Sequence, residues 1–232
     1  MKSILITGAS SGIGRTTAEA FLEAGWRVGM VARRAERLAE VADDHPNAVS
    51  LPADVTDGDA MAAAFDRFGQ LDVLFNNAGV FGPSVPIDEV PLEVWEDVLS
   101  VNLRGMFIAA RLAFGRFRAQ GGGGRIINNG SISAHTPREN TICYSTTKHA
   151  ITGLTKSLAL DGRPFDITAG QIDIGNAESE LLVGLKTANP DMQTMDVSHA
   201  AAAVLHMARL PLSANIPFMT VMATKMPFLG RG

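Results

Sequence analysis

Short runs of consecutive apolar residues alternate along this chain with segments in which apolar residues recur every three or four positions. The first pattern predicts buried strands and the second predicts amphipathic helices. Predicted strands cover residues 3–7, 26–32, 48–51, 71–75, 125–128, 165–169 and 216–221. Predicted helices cover about 13–24, 35–43, 56–68, 92–119 (with a break), 144–160 and 197–207. This alternation of apolar strands and helices predicts an α/β fold, a doubly wound parallel sheet of about seven strands with helices on both faces.

The length and composition fit one globular domain. With 232 residues, 46% of them apolar and 19% charged, the chain is long enough to bury a substantial core. No repeat, linker or low-complexity tract divides it, so we predict a single domain over residues 1–232. The first apolar run is too short for a signal segment or a membrane span, and the single cysteine, Cys143, excludes an internal disulfide. We therefore expect a cytoplasmic protein that does not bind membranes.

Charge and histidine spacing argue against two other kinds of partner. The net charge is −4 and no basic cluster exceeds a pair or two, which predicts that the protein does not bind nucleic acid. His135 and His149 have no partners at the spacing that metal ligands require, so we expect no metal site.

Three glycines follow the first predicted strand and open the first predicted helix, in the pattern Gly8-x-x-x-Gly12-x-Gly14. Glycine allows a tight turn and a close approach of the backbone to a pyrophosphate, and the helix terminus then offers unpaired N–H groups. The alternative is a turn that serves only strand–helix packing. The glycine pattern follows the first strand of a chain in which strands and helices alternate, and this position favours a dinucleotide site and a Rossmann-like sheet.

Tyr144 and Lys148 lie four residues apart on a predicted helix, so both side chains are expected on the same face. A nearby lysine charge favours the phenolate and lowers the pKa of tyrosine from its ordinary value near ~10. Proton exchange with an alcohol or a ketone then becomes feasible. Taken alone, the pair is more often a surface lysine beside a half-buried ring.

Together these motifs resemble the short-chain dehydrogenases/reductases, in their compact single-domain branch. The turn reads Thr-Gly-x-x-x-Gly-x-Gly, and further matches in family order cover about residues 3 to 170. The matching residues are Asp54, Asn76-Asn77-Ala78-Gly79, Asn102, Ser131, Tyr144 and Lys148. The resemblance implies hydride transfer between a nicotinamide and a small alcohol or ketone.

The resemblance also implies a role for each catalytic candidate. Tyr144 would be the general acid and base, and Ser131 would hydrogen-bond the substrate oxygen. Lys148 would lower the pKa of Tyr144 and bind the nicotinamide ribose, while Asn102 would hold a water that connects Lys148 to solvent. Taken singly, Ser131 could be an ordinary loop serine, Asn102 a capping residue and Asp54 a turn residue.

The cofactor is predicted to be NADP, with NAD as the alternative. The second strand ends in Ala32-Arg33-Arg34, where an acidic residue would select NAD, and Arg33 can pair with a 2′-phosphate. The alternative is that both arginines are a solvated helix start. The residues expected at the cofactor are Gly8, Ser10, Ser11, Gly12, Ile13, Gly14, Arg33, Arg34, Asp54, Val55, Asn77, Ala78, Gly79, Tyr144, Lys148, Gly170 and Ile172.

The chain departs from the family after the sixth predicted strand, where a Pro-Gly pair is usual. Here Gly170 is present without the proline, and we expect Ile172 to cover the nicotinamide and Asn176 to contact its amide. Residues 178–190 are short for a substrate lid. We expect Phe81 and the loop 135–143 to line the substrate pocket.

Two other functions stay open. The chain could be a nicotinamide-binding sensor or regulatory protein with little turnover, a reading that rests only on the altered segment after the sixth strand. It could also reduce an acyl group tethered to a protein, although no basic patch for an acidic carrier is evident. The resemblance further implies a homodimer or homotetramer. The identity of the small-molecule substrate does not follow from the fold.

Overall fold

The seven predicted strands form one sheet in the computed structural model, which describes residues 1–180, 182, 187 and 191–228. The strand order is β3-β2-β1-β4-β5-β6-β7, and every pairing is parallel. The strands are β1 Ser3–Thr7, β2 Arg27–Ala32, β3 Ala48–Pro52, β4 Val73–Asn76, β5 Gly124–Asn129, β6 Ile167–Gly175 and β7 Phe218–Met222. The predicted doubly wound parallel sheet is confirmed.

Helices cover both faces of the sheet, as their apolar periodicity predicts. They are α1 Gly12–Glu23, α2 Ala35–Ala42, α3 Gly58–Phe68, α4 Leu92–Leu99, α5 Met106–Gln120, α6 Ile142–Gly162 and α7 Val197–Arg209. One apolar cluster joins α1, α2 and α7 to one face, and a second joins α3 and α5 to the other. Asp57 caps α3 by accepting from the N–H groups of Asp59 and Ala60.

The predicted break in the long fourth helix is a π-helical segment, Ser100–Gly105, between α4 and α5. The whole stretch Leu92–Gln120 has 29 residues and is long and apolar enough to span a membrane by length and composition alone. In this fold Ala109, Ala113 and Phe117 of α5 are buried in the second cluster against the sheet. We therefore interpret the stretch as a core helix, since core helices pass the same test.

The bounds predicted for the sixth strand, 165–169, were wrong. β6 runs from Ile167 to Gly175 because Gly170 does not end it: an added Cβ there would lie 2.3 Å from the carbonyl oxygen of Ile216. The glycine thus permits a close backbone approach inside a strand. Gln171 and Asp173 continue the strand as buried polar residues that hydrogen-bond each other at 2.7 Å.

The order of the strands places a crevice at one edge of the sheet. The chain runs outward from β1 to β2 and β3, and β4 then returns to the other side of β1. Neighbouring loops therefore leave the carboxyl ends of β1 and β4 in opposite directions, and ligands of open α/β sheets bind at such points.

Candidate active site

A cleft of about 430 Å³ lies at the carboxyl ends of the central strands. It is lined by most of the residues predicted for the site, which are Gly8, Ser10, Ser11, Gly12, Ile13, Gly14, Arg33, Arg34, Asp54, Val55, Asn77, Ala78, Gly79, Ser131, Tyr144 and Lys148. Of the predicted residues, all of which the structure describes, Asn102, Gly170 and Ile172 do not line it. Motifs spread over more than half of the chain thus meet in one place.

The glycine turn forms one end of this cleft. Gly8 and Gly12 have φ values of +69° and +49°, which glycine adopts without strain. An added Cβ at Gly14 would lie 2.2 Å from the carbonyl oxygen of Gly8. Asn77 fixes the turn from β4, because its Nδ2 donates to the Thr7 carbonyl at 2.9 Å. The turn is therefore a narrow backbone cradle at the start of α1, which suits a pyrophosphate.

Two of the residues expected at the cofactor do not line the cleft. Gly170 and Ile172 lie in the interior of β6, and Ile172 is buried in the core. The longer strand brings Ile174 and Asn176 to the cleft instead. Asn176 has a φ of +50° and directly follows the strand, and its expected contact with the nicotinamide amide stays a prediction. The expected short lid falls mostly on residues 181, 183–186 and 188–190, outside the described part.

Ser131, Tyr144 and Lys148 meet at the ends of β5 and α6. The hydroxyl of Ser131 acts on the pKa of the Tyr144 phenol and accepts from the N–H of Ser133 at 3.1 Å. The Nζ of Lys148 lies 5.4 Å from the centre of the Tyr144 ring and donates to the carbonyl of Asn129 at 2.7 Å. The i, i+4 spacing on α6 thus directs phenol and ammonium into the same cleft.

The pKa of Tyr144 does not fall as the sequence suggested. Burial raises it above the ordinary value, and the charge of Asp173 raises it further. The hydrogen bond from Ser131 and the charge of Arg138 act in the opposite direction without reversing the shift. The phenol therefore keeps its proton at neutral pH, which suits a group that donates a proton.

The pKa of Lys148 is lowered to about 8 because the side chain is buried, although the charge of Asp173 partly opposes this. The ammonium thus loses contact with water in the wall of the cleft, and its hydrogen bond to the Asn129 carbonyl fixes its position.

A pH-dependent comparison tests this burial. The unfolded chain binds a proton at Lys148 up to about pH 10.5, and the folded chain releases it near pH 8. Stability therefore rises with pH between these values, by about 3 kcal/mol at most. We expect the free energy of unfolding of the natural chain to rise by up to that amount relative to Lys148→Met between pH 8 and 10.5, measured by urea unfolding.

Lys156→Met is the reference for this comparison, because it removes an exposed lysine from the same helix. If the free energies of unfolding of the natural chain and of Lys148→Met changed in parallel with pH, the lowered pKa of Lys148 would be contradicted.

Asn102 acts on the backbone and not on the cleft. Its Oδ1 accepts from the N–H of Val80 at 2.7 Å, and its Nδ2 donates to the Val80 carbonyl at 2.8 Å and to Thr147 Oγ1 at 3.2 Å. These bonds join the π-helical segment to the loop after β4 and to α6, one residue before Lys148. The side chain of Asn102 is thus placed to position neighbours of the cleft.

Asp173 was missed by the sequence reading. Its buried carboxylate accepts from the N–H of Ser131 at 2.9 Å through Oδ1, and its Oδ2 lies 2.8 Å from Nε2 of the half-exposed His135. The carboxylate therefore fixes the backbone that carries Ser131. The signal was the alternation of Ile172 and Ile174 with the polar residues 171 and 173, which continues the strand past Gly170.

Phe81 and Arg138 line the cleft beside Tyr144, as expected for the substrate end. The centres of the Phe81 and Tyr144 rings are 4.7 Å apart. Arg138 donates to Oδ1 of Asn176 at 2.8 Å, which joins the loop before α6 to the residue after β6. The mouth of the pocket therefore combines an aromatic face with a cation.

Arg33 and Asp54 lie at the opposite end of the cleft. The side chain of Arg33 is 73% exposed, and its Nη1 is 3.9 Å from Asp54 Oδ2. Asp54 accepts from the N–H and the hydroxyl of Thr56, which fixes its turn after β3. A polar end with an available arginine fits a phosphorylated ribose beside an adenine.

Within the described residues, no group of three or more histidine, cysteine, aspartate and glutamate side chains could hold a metal ion. The expectation that the protein has no metal site stays a prediction.

Comparison with known proteins gives one consistent result. A family model described as short chain dehydrogenase matches residues 2–190. The chain is 33% identical over 193 residues to 3beta-hydroxysteroid dehydrogenase 2 of Eggerthella lenta, covering 80% of this chain and 74% of that protein. It is 35% identical over 188 residues to cis-4-hydroxycyclohexanecarboxylate dehydrogenase of Sinomonas cyclohexanicum, covering 78% and 75%.

A solved structure agrees over nearly the whole chain. The 3-ketoacyl-(acyl-carrier-protein) reductase of Brucella melitensis, complexed with NADH, superposes with a TM-score of 0.86 at 28% identity, covering 96% of this chain and 97% of that one.

Proposed function

The chain belongs to the short-chain dehydrogenase family, and from that membership we propose hydride transfer between NADP and a small alcohol or ketone, with Tyr144 as general acid and base. At the coarser level it is an oxidoreductase that acts on alcohol or ketone substrates with a nucleotide cofactor. The observation that carries the proposal is the meeting of Ser131, Tyr144 and Lys148 in the cleft that also contains the glycine turn.

The residues of the cleft fit a nicotinamide nucleotide. The backbone cradle of Gly8, Gly12 and Gly14 would hold the pyrophosphate, and Asp54 would face the adenine. Asn77 supports the cradle, and Lys148 would bind the nicotinamide ribose. When bound, the nucleotide supplies or accepts the hydride.

The chain's own residues then handle the oxygen and its proton. Ser131 donates to the substrate oxygen and fixes it near the phenol, because Asp173 holds the Ser131 backbone. Tyr144 gives its proton to that oxygen during reduction and takes it back during oxidation. Preorganised donors stabilise the charge that develops on one oxygen.

The test of this function is a scan of ketones with NADPH and of alcohols with NADP, followed at the nicotinamide absorbance. Turnover of members of one substrate class supports the proposal. Binding of nucleotide without turnover of any compound would instead favour the sensor. The sensor hypothesis rests only on the unusual residues after Gly170, which belong to β6.

A second candidate is reduction of an acyl group carried on a protein. The likeness to the Brucella reductase favours it. A 3-ketoacyl thioester in the same scan separates this candidate from a free small ketone.

The preference for NADP over NAD rests on the arginines after β2. We expect NADPH to bind at least about tenfold more tightly than NADH, because a charge-assisted hydrogen bond contributes roughly 1.5–3 kcal/mol. Arg33→Ala should lower this preference, measured by titration of nicotinamide fluorescence. Arg37→Ala is the control, since Arg37 is on α2 and does not line the cleft. Tighter binding of NADH by the natural chain would refute the assignment.

Residues 1–232 are proposed to form a single domain whose substrate is a small molecule, without nucleic-acid or membrane partners. We also propose cytoplasmic localisation and a homodimer or homotetramer. A monomer mass in light scattering at micromolar concentration would contradict the oligomer.

A further inference from the structure

A cluster of polar side chains, which we call the anion subsite, lies in the part of the cleft that also contains Arg33 and Asp54. Arg34 Nε donates to Ser10 Oγ at 3.1 Å, and its Nη2 donates to Ser10 Oγ at 3.0 Å and to Ser11 Oγ at 2.7 Å. Because both hydroxyl oxygens accept from the guanidinium, both hydroxyl protons remain to be donated to an anion. One cation and two hydroxyls therefore converge on one position at the start of α1.

A carboxylate of the chain itself is in contact with this subsite. Oε2 of Glu180 lies 3.3 Å from Arg34 Nη1. The hydrogen bond from Ser11 lowers the pKa of Glu180 below its ordinary value, with a further contribution from Arg34. The preceding residue, Ser179, lies over the turn, since its Cβ is 3.0 Å from where a Cβ on Gly12 would stand. The segment after β6 thus crosses the glycine turn and places Glu180 on Arg34.

We infer that Glu180 is an internal competitor for the 2′-phosphate subsite and sets the ratio of NADP to NAD affinity. The inference rests on the proposed use of a nicotinamide nucleotide. A 2′-phosphate needs the same donors of Arg34 and Ser11 and carries like charge, so Glu180 must leave before the phosphate binds. A 2′-hydroxyl has no such conflict, because it can donate a hydrogen bond to the Glu180 carboxylate.

No acidic residue at the end of β2 can accept a hydrogen bond from the 2′-hydroxyl. Glu180, which follows β6 in the chain, thus supplies this acceptor. The side chain is 58% exposed, so it can leave the subsite without uncovering core. Removing the Glu180 carboxylate takes away the competitor of the 2′-phosphate, which favours NADP. It also takes away the acceptor for the 2′-hydroxyl, which disfavours NAD, so both effects raise the ratio of NADP to NAD affinity.

The experiment titrates the full chain and its Glu180→Gln variant with NADPH and NADH by nicotinamide fluorescence. ADP-ribose and its 2′-phosphate, followed by calorimetry, give a readout that does not depend on turnover. We expect the variant to bind NADPH about tenfold more tightly and NADH equally or more weakly. Glu178→Gln is the control, because Glu178 bonds Thr194 and does not line the cleft.

A second background shows whether Arg34 carries the effect. In Arg34→Ala the Glu180 carboxylate and the 2′-phosphate of the nucleotide both lose the guanidinium for which they compete. Adding Glu180→Gln to this variant should therefore change the ratio of NADPH to NADH affinity less than threefold. If both nucleotides bind and Glu180→Gln leaves their affinity ratio unchanged, this inference is wrong while the proposed function stands. If neither nucleotide binds any of the proteins, the proposed function fails as well.

Discussion

Tyr144→Phe is expected to lower kcat by roughly 10³-fold, within the range that general acid–base catalysis contributes. The phenol hydroxyl is the proposed proton donor, and the hydroxyl of Ser131 is too weakly acidic to replace it. The ring that stacks on Phe81 at 4.7 Å is kept, so the cleft retains its shape. Affinity for NADPH should therefore stay within about twofold of the natural chain. Steady-state kinetics and fluorescence titration measure the two quantities.

Ser157→Ala, an exposed change on the same helix, is the control for this experiment. Turnover by Tyr144→Phe at the natural rate would remove the phenol from the mechanism. Tyr144 is the single tyrosine of the chain, so ultraviolet absorbance reports its ionisation without assignment. That titration should place its pKa above the ordinary value near ~10.

Gly14→Ala is expected to weaken NADPH binding by roughly 100-fold or more and to destabilise the fold by about 1–3 kcal/mol. The added methyl group would lie 2.2 Å from the Gly8 carbonyl oxygen and 2.7 Å from Asn77 Nδ2. A backbone carbonyl cannot swing aside as a long side chain can, so the turn must open. Fluorescence titration and urea unfolding measure the two effects.

Gly115→Ala separates this clash from the general effect of adding a methyl group to a helix. Gly115 lies in α5, and an added Cβ there meets no atom of the described residues within 4 Å apart from its chain neighbours and the backbone of its own helix, so this change should stabilise the protein by up to about 1 kcal/mol. Natural affinity for NADPH in Gly14→Ala would show that the cradle does not hold the pyrophosphate.

The parts of the fold that could be predicted were those with a local cause. Continuous apolar runs identified every strand of the sheet, and the glycine spacing located the turn after β1. The end of β6 could not be predicted in this way, because Gly170 is a strand breaker in isolation. Here it is required by the approach of the Ile216 carbonyl, which is a tertiary contact.

The same limit applies to the site. The spacing of Tyr144 and Lys148 predicted their shared cleft, since four residues make one turn of helix. The upward shift of the Tyr144 pKa depends on burial and on Asp173, which joins the site only through the length of β6. Glu180 reaches Arg34 across 146 positions of sequence, so no local pattern could indicate that contact.

The position of β1 inside the sheet, between β2 and β4, has a consequence for biosynthesis. β1, β2 and β3 leave the ribosome first and can pair, yet one edge of the buried β1 stays open until β4 has emerged. An uncovered apolar edge is a template for pairing with other nascent chains. The open edge of β1 therefore persists while residues 8–72 are translated, and during that period it can pair with another nascent chain instead of with β4.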